Sequence, residues 1–346
     1  IFALPPRYGG MGIPILMNSA DTEYQYSMRA TCMLKDAILK QENEYHEDLS
    51  ISHEIKESIR TDRNQYYSSK QAEILASLQP TAKLMFQLAA EKGASSWLTA
   101  LPLKSYGYLL NKQQFSDAIA LRYNLTLKDC PKLCACGEPY SANHALTCKL
   151  GGYVALRHNS LRDSLANIMR TVNCKDVQTE PILLPVNGMQ LTRGTITGDQ
   201  ARLDVSARGV WNALERAFFD VRVFHAPAPT NATKPIPAMY LAHENEKKRA
   251  YNSRVIEVEK GTFTPLVFST SGGMGVEAQR LIKRLAQKME GPTGQRYSDS
   301  VAYIRKRLRF EVLKTTVISL RGDRGPRLRN HPVVIQELDL NLEPYG

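Results

Sequence analysis

The sequence predicts a helical N-terminal part followed by an α/β domain built on a mixed sheet. Three observations carry this. Apolar residues near helical spacing dominate residues 20 to 92, a cysteine-rich segment interrupts the pattern at 130 to 148, and short runs of strand type alternate with helices beyond residue 150. At about 150 residues per domain, a chain of 346 corresponds to two or three domains and has ample length for a buried core. Hydrophobic residues at 43% and charged residues at 23% exclude wholesale disorder and a collagen-like fibre. No stretch approaches the roughly 18 unbroken apolar residues of a membrane span.

The elements follow in order. The opening Arg7-Tyr8-Gly9-Gly10-Met11-Gly12-Ile13-Pro14 reads as a glycine-rich turn without the Lys-Ser/Thr pair that a nucleotide-cradling loop needs. From Ser69 to Glu91, the residues Ile74, Leu75, Leu78, Leu84, Met85 and Leu88 predict helix, with a break or new start at Pro80. More helix is expected from Ser96 to Leu127, and an amphipathic helix over 153 to 170, with Leu156, Leu161, Leu165, Ile168 and Met169 on one side. Strands are expected at Val177 to Val186, Arg202 to Ser206, Ala217 to Phe224 and Phe263 to Ser269, with helices at Tyr240 to Glu259 and Val276 to Met289. The run Ala217 to Phe224 is apolar apart from two charges, as in a strand covered on both faces. The prolines 227, 229, 235 and 237 mark a flexible insertion. The expected divisions are residues 1–128 as a helical region, 129–150 as a metal knuckle, 151–295 as the α/β domain and 296–346 as a basic helix and tail.

The net charge of +11 is uneven: residues 1 to 200 carry 21 basic and 19 acidic groups, residues 201 to 346 carry 24 and 15. A polyanion such as nucleic acid is therefore the first partner to consider, since each Lys or Arg near a phosphate releases condensed counterions. An anionic membrane would need an amphipathic anchor as well. From Arg305 to Arg329 there are nine basic and two acidic residues, and Val301, Ile304, Leu308, Val312 and Leu313 predict a helix with one buried side. Arg305, Lys306, Arg307 and Arg309 on it are the candidates for contact with a duplex backbone. The first residues, Ile1 to Pro6, include no initiator Met and no secretory or transit pattern, which predicts a chain that starts within a longer protein.

Six cysteines are too sparse for a disulfide framework, yet four crowd between 130 and 148. The spacing Cys134-x-Cys136-x7-His144-x3-Cys148, with Gly137 to permit a tight turn, supplies four ligands for a closed, structural zinc site. Cys130 is an alternative to Cys134.

Asp204 and Asp220 each sit among apolar residues on successive strands, where burial is costly unless a cation lies between them. Magnesium or manganese suits such oxygen ligands and would polarise a phosphate and generate hydroxide. The alternative is structural pairing with Arg202 or Arg222. On the following helix, Lys247 and Lys248 share a face with Tyr251, and a Lys beside a metal-bound water could orient it or take its proton. Asp163 on the preceding helix or Glu180 at the start of the first strand could add a further metal oxygen, and a surface charge is an equal reading of either. The turn Ser271-Gly272-Gly273-Met274-Gly275 opens a helix whose amides could hold a phosphate, although a plain capping turn is the simpler reading.

Taken in order, the knuckle, Leu156-Arg157-His158-Asn159, Asp204, Asp220-Val221-Arg222 and the Lys/Tyr helix resemble the C-terminal part of non-LTR retrotransposon polyproteins that bear a restriction-like endonuclease. The match spans roughly residues 100 to 290. The resemblance implies a PD-(D/E)xK restriction-endonuclease fold that nicks double-stranded target DNA, so that the new 3′ hydroxyl primes reverse transcription. It implies catalytic roles for Asp204, Asp220, Arg222, Lys248 and Tyr251, with Lys247 as substitute for Lys248. It also implies the element RNA and an upstream reverse transcriptase region as partners, and nuclear residence. Two departures stand out: Leu203 occupies the place of the family's Pro, and Arg222 that of its Lys. No Tyr-x-Asp-Asp polymerase motif is present, so no polymerase activity is expected.

Overall fold

The computed structural model describes residues 1–231 and 233–322, and the chain forms two compact units, Ile1–Ala90 and Glu91–Gly346. No helix among the described residues is long and apolar enough to cross a membrane.

The first unit is helical: α1 Leu16–Ala30, α2 Cys32–Leu39, α3 Leu49–Ser77 and α4 Pro80–Ala90. The Asp48 carboxylate accepts from the amides of Ser50 and Ile51 and so starts α3. Pro80 opens α4, where its missing N–H is no loss, and the expected break falls there. Ion pairs tie α1 to α3: Arg29 to Asp62 at 2.7 Å, and Arg63 to Glu23. In the opening turn, a Cβ on Gly10 would sit 1.9 Å from the Leu4 carbonyl oxygen. That glycine serves close backbone approach rather than phosphate binding.

The second unit contains α5 Lys112–Tyr123, α6 Ala142–Thr147, α7 Tyr153–Thr171, β1 Lys175–Thr179, β2 Val205–Arg208, β3 Arg216–Phe224, α8 Ile236–Glu257, β4 Thr262–Ser269, α9 Val276–Thr293 and α10 Tyr297–Arg321. The sheet runs β1-β2-β3-β4, antiparallel in its first two pairings and parallel between β3 and β4. This is the mixed α/β architecture expected, and α8 is the crossover that a parallel pair requires.

Alternation along β3 assigns its two faces. Ala217, Phe219 and Val221 enter a core with Leu161, Leu165 and Met169 of α7, Leu281 and Leu285 of α9, and Ile304, Leu308 and Val312 of α10. Phe218, on the opposite face, packs with Leu203, Val255 and Phe263, with Tyr251 of α8 against them.

Several expectations shift. The strand expected over Val177 to Val186 ends at Thr179, because Glu180 takes a left-handed φ of 52° and Pro181 cannot donate to a ladder; beyond it only Ile182 bridges Arg202. The long excursion to β2 is held instead by Arg254 of α8, 0% exposed, whose guanidinium donates to the carbonyls of Leu184, Ile196 and Gly198 at 2.8–3.0 Å. In the proline segment, Ala226 and Asn231 are buried, and Asn231 Nδ2 donates to the His225 carbonyl at 3.2 Å. The compact division falls at Ala90 rather than at 128 or 150. Nor is the helix beyond 296 an appendage: Phe310, Leu313 and Val317 pack with Trp97, Tyr108 and Ala118. The tail beyond Gly322 lies outside the described residues, and with it the basic residues Arg324, Arg327 and Arg329.

Candidate metal centres

The knuckle is assembled by local hydrogen bonds. A bridge between Leu133 and Pro139 closes a loop in which the Cys134 amide donates to the Glu138 carbonyl and the Gly137 amide to the Cys134 carbonyl, each at 2.9 Å. Gly137 has φ 92°, which its lack of a side chain permits. The Ser141 hydroxyl then accepts the His144 amide at 3.0 Å and starts α6, which delivers His144 and Cys148.

The ligand atoms of Cys134, Cys136, His144 and Cys148 all lie within 4.8 Å of one another. Cys134 Sγ is 4.0 Å from Cys148 Sγ, and Cys136 Sγ is 3.2 Å from His144 Nε2. A tetrahedral zinc with bonds of about 2.0 to 2.3 Å sets its ligands roughly 3.5 to 3.8 Å apart, so this cluster could hold a metal ion and is compatible with structural zinc. Burial works against the Cys134 thiolate, but the Cys136 amide and the neighbouring ligand side chains outweigh it and lower the thiol to about 7. Cys130 stands outside the cluster, with its thiol turned to the Lys128 carbonyl at 3.6 Å, which leaves Cys134 as the ligand. The Tyr140 hydroxyl donates to the Leu320 carbonyl at 2.5 Å and anchors the knuckle to α10.

The carboxylates meet through the register of the sheet. Val205 lies opposite Phe219, so Asp204 and Asp220 flank that pair on neighbouring antiparallel strands. The Asp204 amide donates to the Phe219 carbonyl at 3.0 Å, and Asp204 Oδ2 accepts from the Val221 amide at 2.5 Å, so Asp204 brackets the backbone of Asp220. The two acids draw different partners. His158 Nε2 of α7 lies 3.1 Å from Asp204 Oδ2, and Lys247 Nζ of α8 lies 2.8 Å from Asp220 Oδ2. Burial pushes the Asp220 carboxyl up; Lys247 opposes that push and the nearby Asp204 adds to it. Burial lowers His158, but its bond to Asp204 prevails and raises it above the ordinary value. Among the described residues, Oδ1 of each acid makes no hydrogen bond, and the Asp204 charge is near enough to act on Asp220.

The residues expected to join this pair divide. Tyr251 does: its ring centroid is 5.8 Å from Lys247 Nζ, and burial together with the charges of Asp220 and Asp204 pushes its phenol up. Arg222 follows two residues after Asp220 on β3 and pairs with neither acid, while Arg202 pairs with Glu180 at 3.7 Å. Lys248 is directed elsewhere, to Glu277 at 2.6 Å, and Lys247 takes the position at Asp220. Successive helical residues diverge by about 100°, so only one of two adjacent lysines can face the sheet.

Asp163 and Glu180 are held by Arg162 and join no metal-ligand group with the acid pair. Glu244 Oε1 accepts the Glu277 amide at 3.3 Å, so the start of α9 is capped by a carboxylate and the phosphate reading of its glycine turn does not hold. Arg309 is also corrected: it is 5% exposed and donates through Nε to the Ala94 carbonyl at 3.0 Å, which withdraws it from any duplex, whereas Arg305, Lys306 and Arg307 are half-buried.

Three functional groups escaped the sequence reading as individuals: His158, Arg157 and His225. The signal for Arg157 was present, since it lies four residues before Leu161 on the buried stripe of α7, where a charge is out of place. Compared with known protein families and with characterised proteins, the chain matches none.

Proposed function

We propose that this chain is a divalent-metal-dependent DNA endonuclease of the restriction-like PD-(D/E)xK type, the C-terminal region of a non-LTR retrotransposon polyprotein. In this reading it nicks target DNA to supply the 3′ hydroxyl for target-primed reverse transcription. The observation that carries the reading is the meeting of Asp204 and Asp220 at neighbouring strands, with Lys247 on Asp220 at 2.8 Å.

A magnesium or manganese ion held by the two aspartates would polarise the scissile phosphate and acidify a water. Lys247 faces the same spot, where its ammonium can orient the attacking water and offset charge developing on the phosphoryl oxygens. The Tyr251 hydroxyl is a second donor to those oxygens. His158 holds Asp204 through Nε2 and fixes its carboxylate. Water oxygen bonds to phosphorus, the bond from phosphorus to O3′ breaks, and a proton passes to O3′, which leaves a 3′ hydroxyl and a 5′ phosphate. The knuckle has no vacant ligand position and serves as a structural or nucleic-acid-contacting element.

A second reading is a nucleic-acid-binding module without cleavage. It is favoured by the basic side chains already on both acids and by Arg222 in place of the expected Lys. A nicking assay on supercoiled plasmid with magnesium separates the two. The native chain is expected to nick and Asp220→Ala to be inactive; equal cleavage by both proteins, or none by either, overturns the nuclease.

A further inference from the structure

A cleft of about 760 Å³ lies beside the acid pair, bounded by the start of α7, the end of β3, the end of the knuckle and α8. Its lining includes the permanent cations Lys149, Arg157, Arg222 and Lys247, and no aspartate or glutamate. The unusual member is Arg157. It is 2% exposed, and only its Nη2 is used, on the Leu146 carbonyl at 2.9 Å. Among the described residues, Nε and Nη1 have no hydrogen-bond partner.

A buried guanidinium with two idle donors is costly unless an acceptor from outside takes them. Each idle N–H of a guanidinium is a charge-assisted donor suited to a phosphate oxygen, and the Nε–H lies on the Nη2 side of the plane, away from Nη1. The surroundings are consistent with that acceptor. His225, also lining the cleft, has both ring nitrogens taken by Thr270 Oγ1 and Asn143 Oδ1 at 2.8 Å each, so it offers Arg157 no acceptor. Burial lowers Arg157 only to about 10, which leaves it cationic at neutral pH.

We infer that this cleft is a phosphodiester subsite in which Arg157 donates an idle N–H to one backbone phosphate of a DNA strand, with Lys149 and Arg222 along its rim. The inference deepens the nucleic-acid reading above and rests on it. A polymer fits better than a free anion because the cleft far exceeds one phosphate in volume and runs up to His158 and Lys247, the residues that hold Asp204 and Asp220. A strand gripped at Arg157 would bring a neighbouring phosphate to the acid pair.

The test is binding of a fluorescent DNA duplex to the zinc-loaded chain with no magnesium, as a function of salt, for the native protein and Arg157→Gln. The expected result is roughly tenfold weaker binding and a log–log salt slope smaller by about 0.9, the signature of one lost phosphate contact. A folded Arg157→Gln with native affinity and slope overturns the proposal. Should that variant fail to fold, Lys149→Gln combined with Arg222→Gln decides in the same way: weaker binding supports the subsite, unchanged binding overturns it. Inorganic phosphate that displaces the duplex at matched ionic strength overturns the strand in favour of a free anion, and no displacement supports the strand. Because no magnesium is present, the readout is separate from cleavage. Binding that depends on Arg157 in a chain that never nicks removes only the nuclease; nicking by a chain whose binding ignores Arg157 removes only the subsite.

Discussion

The knuckle and the acid pair both bring polar side chains together, but over different lengths of chain. All four knuckle ligands fall between Cys134 and Cys148, and turn hydrogen bonds within that segment aim them. The acid site takes His158 from α7, Asp204 from just before β2, Asp220 from β3 and Lys247 from α8, and it exists only once the sheet has closed. A local site depends on its metal for folding, because a short loop has little core of its own. A distributed site depends on the surrounding core for its shape.

That contrast is broken most forcefully by removing zinc. Chelation, or Cys136→Ser, is expected to abolish metal binding and melt the knuckle, with up to about 10 kcal/mol of apparent binding free energy at stake. Metal content and a thermal melt report it, and Cys130→Ser should retain full zinc. A melt indifferent to chelation would show that the knuckle folds without its ion.

The next largest effect concerns the two lysines. Lys247→Ala should lower the nicking rate by roughly 10²- to 10⁴-fold, and Lys248→Ala, which loses only an ion pair to Glu277, by far less. The reverse ranking would remove Lys247 from the proposed chemistry.

His225 joins the two regions, bonded to Asn143 of the knuckle helix and to Thr270 beyond β4. Burial lowers its pKa from 6.5 to about 4, so below pH 6.5 the unfolded chain takes up a proton that the folded chain refuses. Stability is therefore full above pH 6.5 and falls as pH drops toward 4, by about 3 kcal/mol over that window. Denaturant melts against pH should show this slope in the native chain and lose it in His225→Asn. The smallest effect is expected at the surface of α10. Lys306→Gln should reduce the salt slope of duplex binding by about 0.9 or less, and an unchanged slope would release α10 from nucleic-acid contact.

The legibility of these features follows from their range in sequence. The knuckle was readable because metal geometry translates directly into ligand spacing. The order helix, three strands, helix, strand, helix was readable because β3 is apolar on both faces and α7 carries a clear stripe. The choice between Lys247 and Lys248 was not readable, since helix phase relative to the sheet is set by packing between distant segments. Arg309 looked like part of a basic surface, but α10 is buried on most sides, and a run of arginines does not reveal which of them turns inward. The buried stripe of α7 marks Arg157 as a charge out of place, but the partners of Arg157 and His158 depend on where the start of α7 docks, and no local pattern encodes that.

Arg254 gives the stretch between β1 and β2 an unusual freedom. Because one guanidinium clasps the main chain at Leu184, Ile196 and Gly198, the side chains of that arm are released from the duty of holding it in place. Related chains could rewrite most of the exposed letters from 187 to 200 and keep its path, so long as the clasp and the buried Leu183 and Leu203 survive.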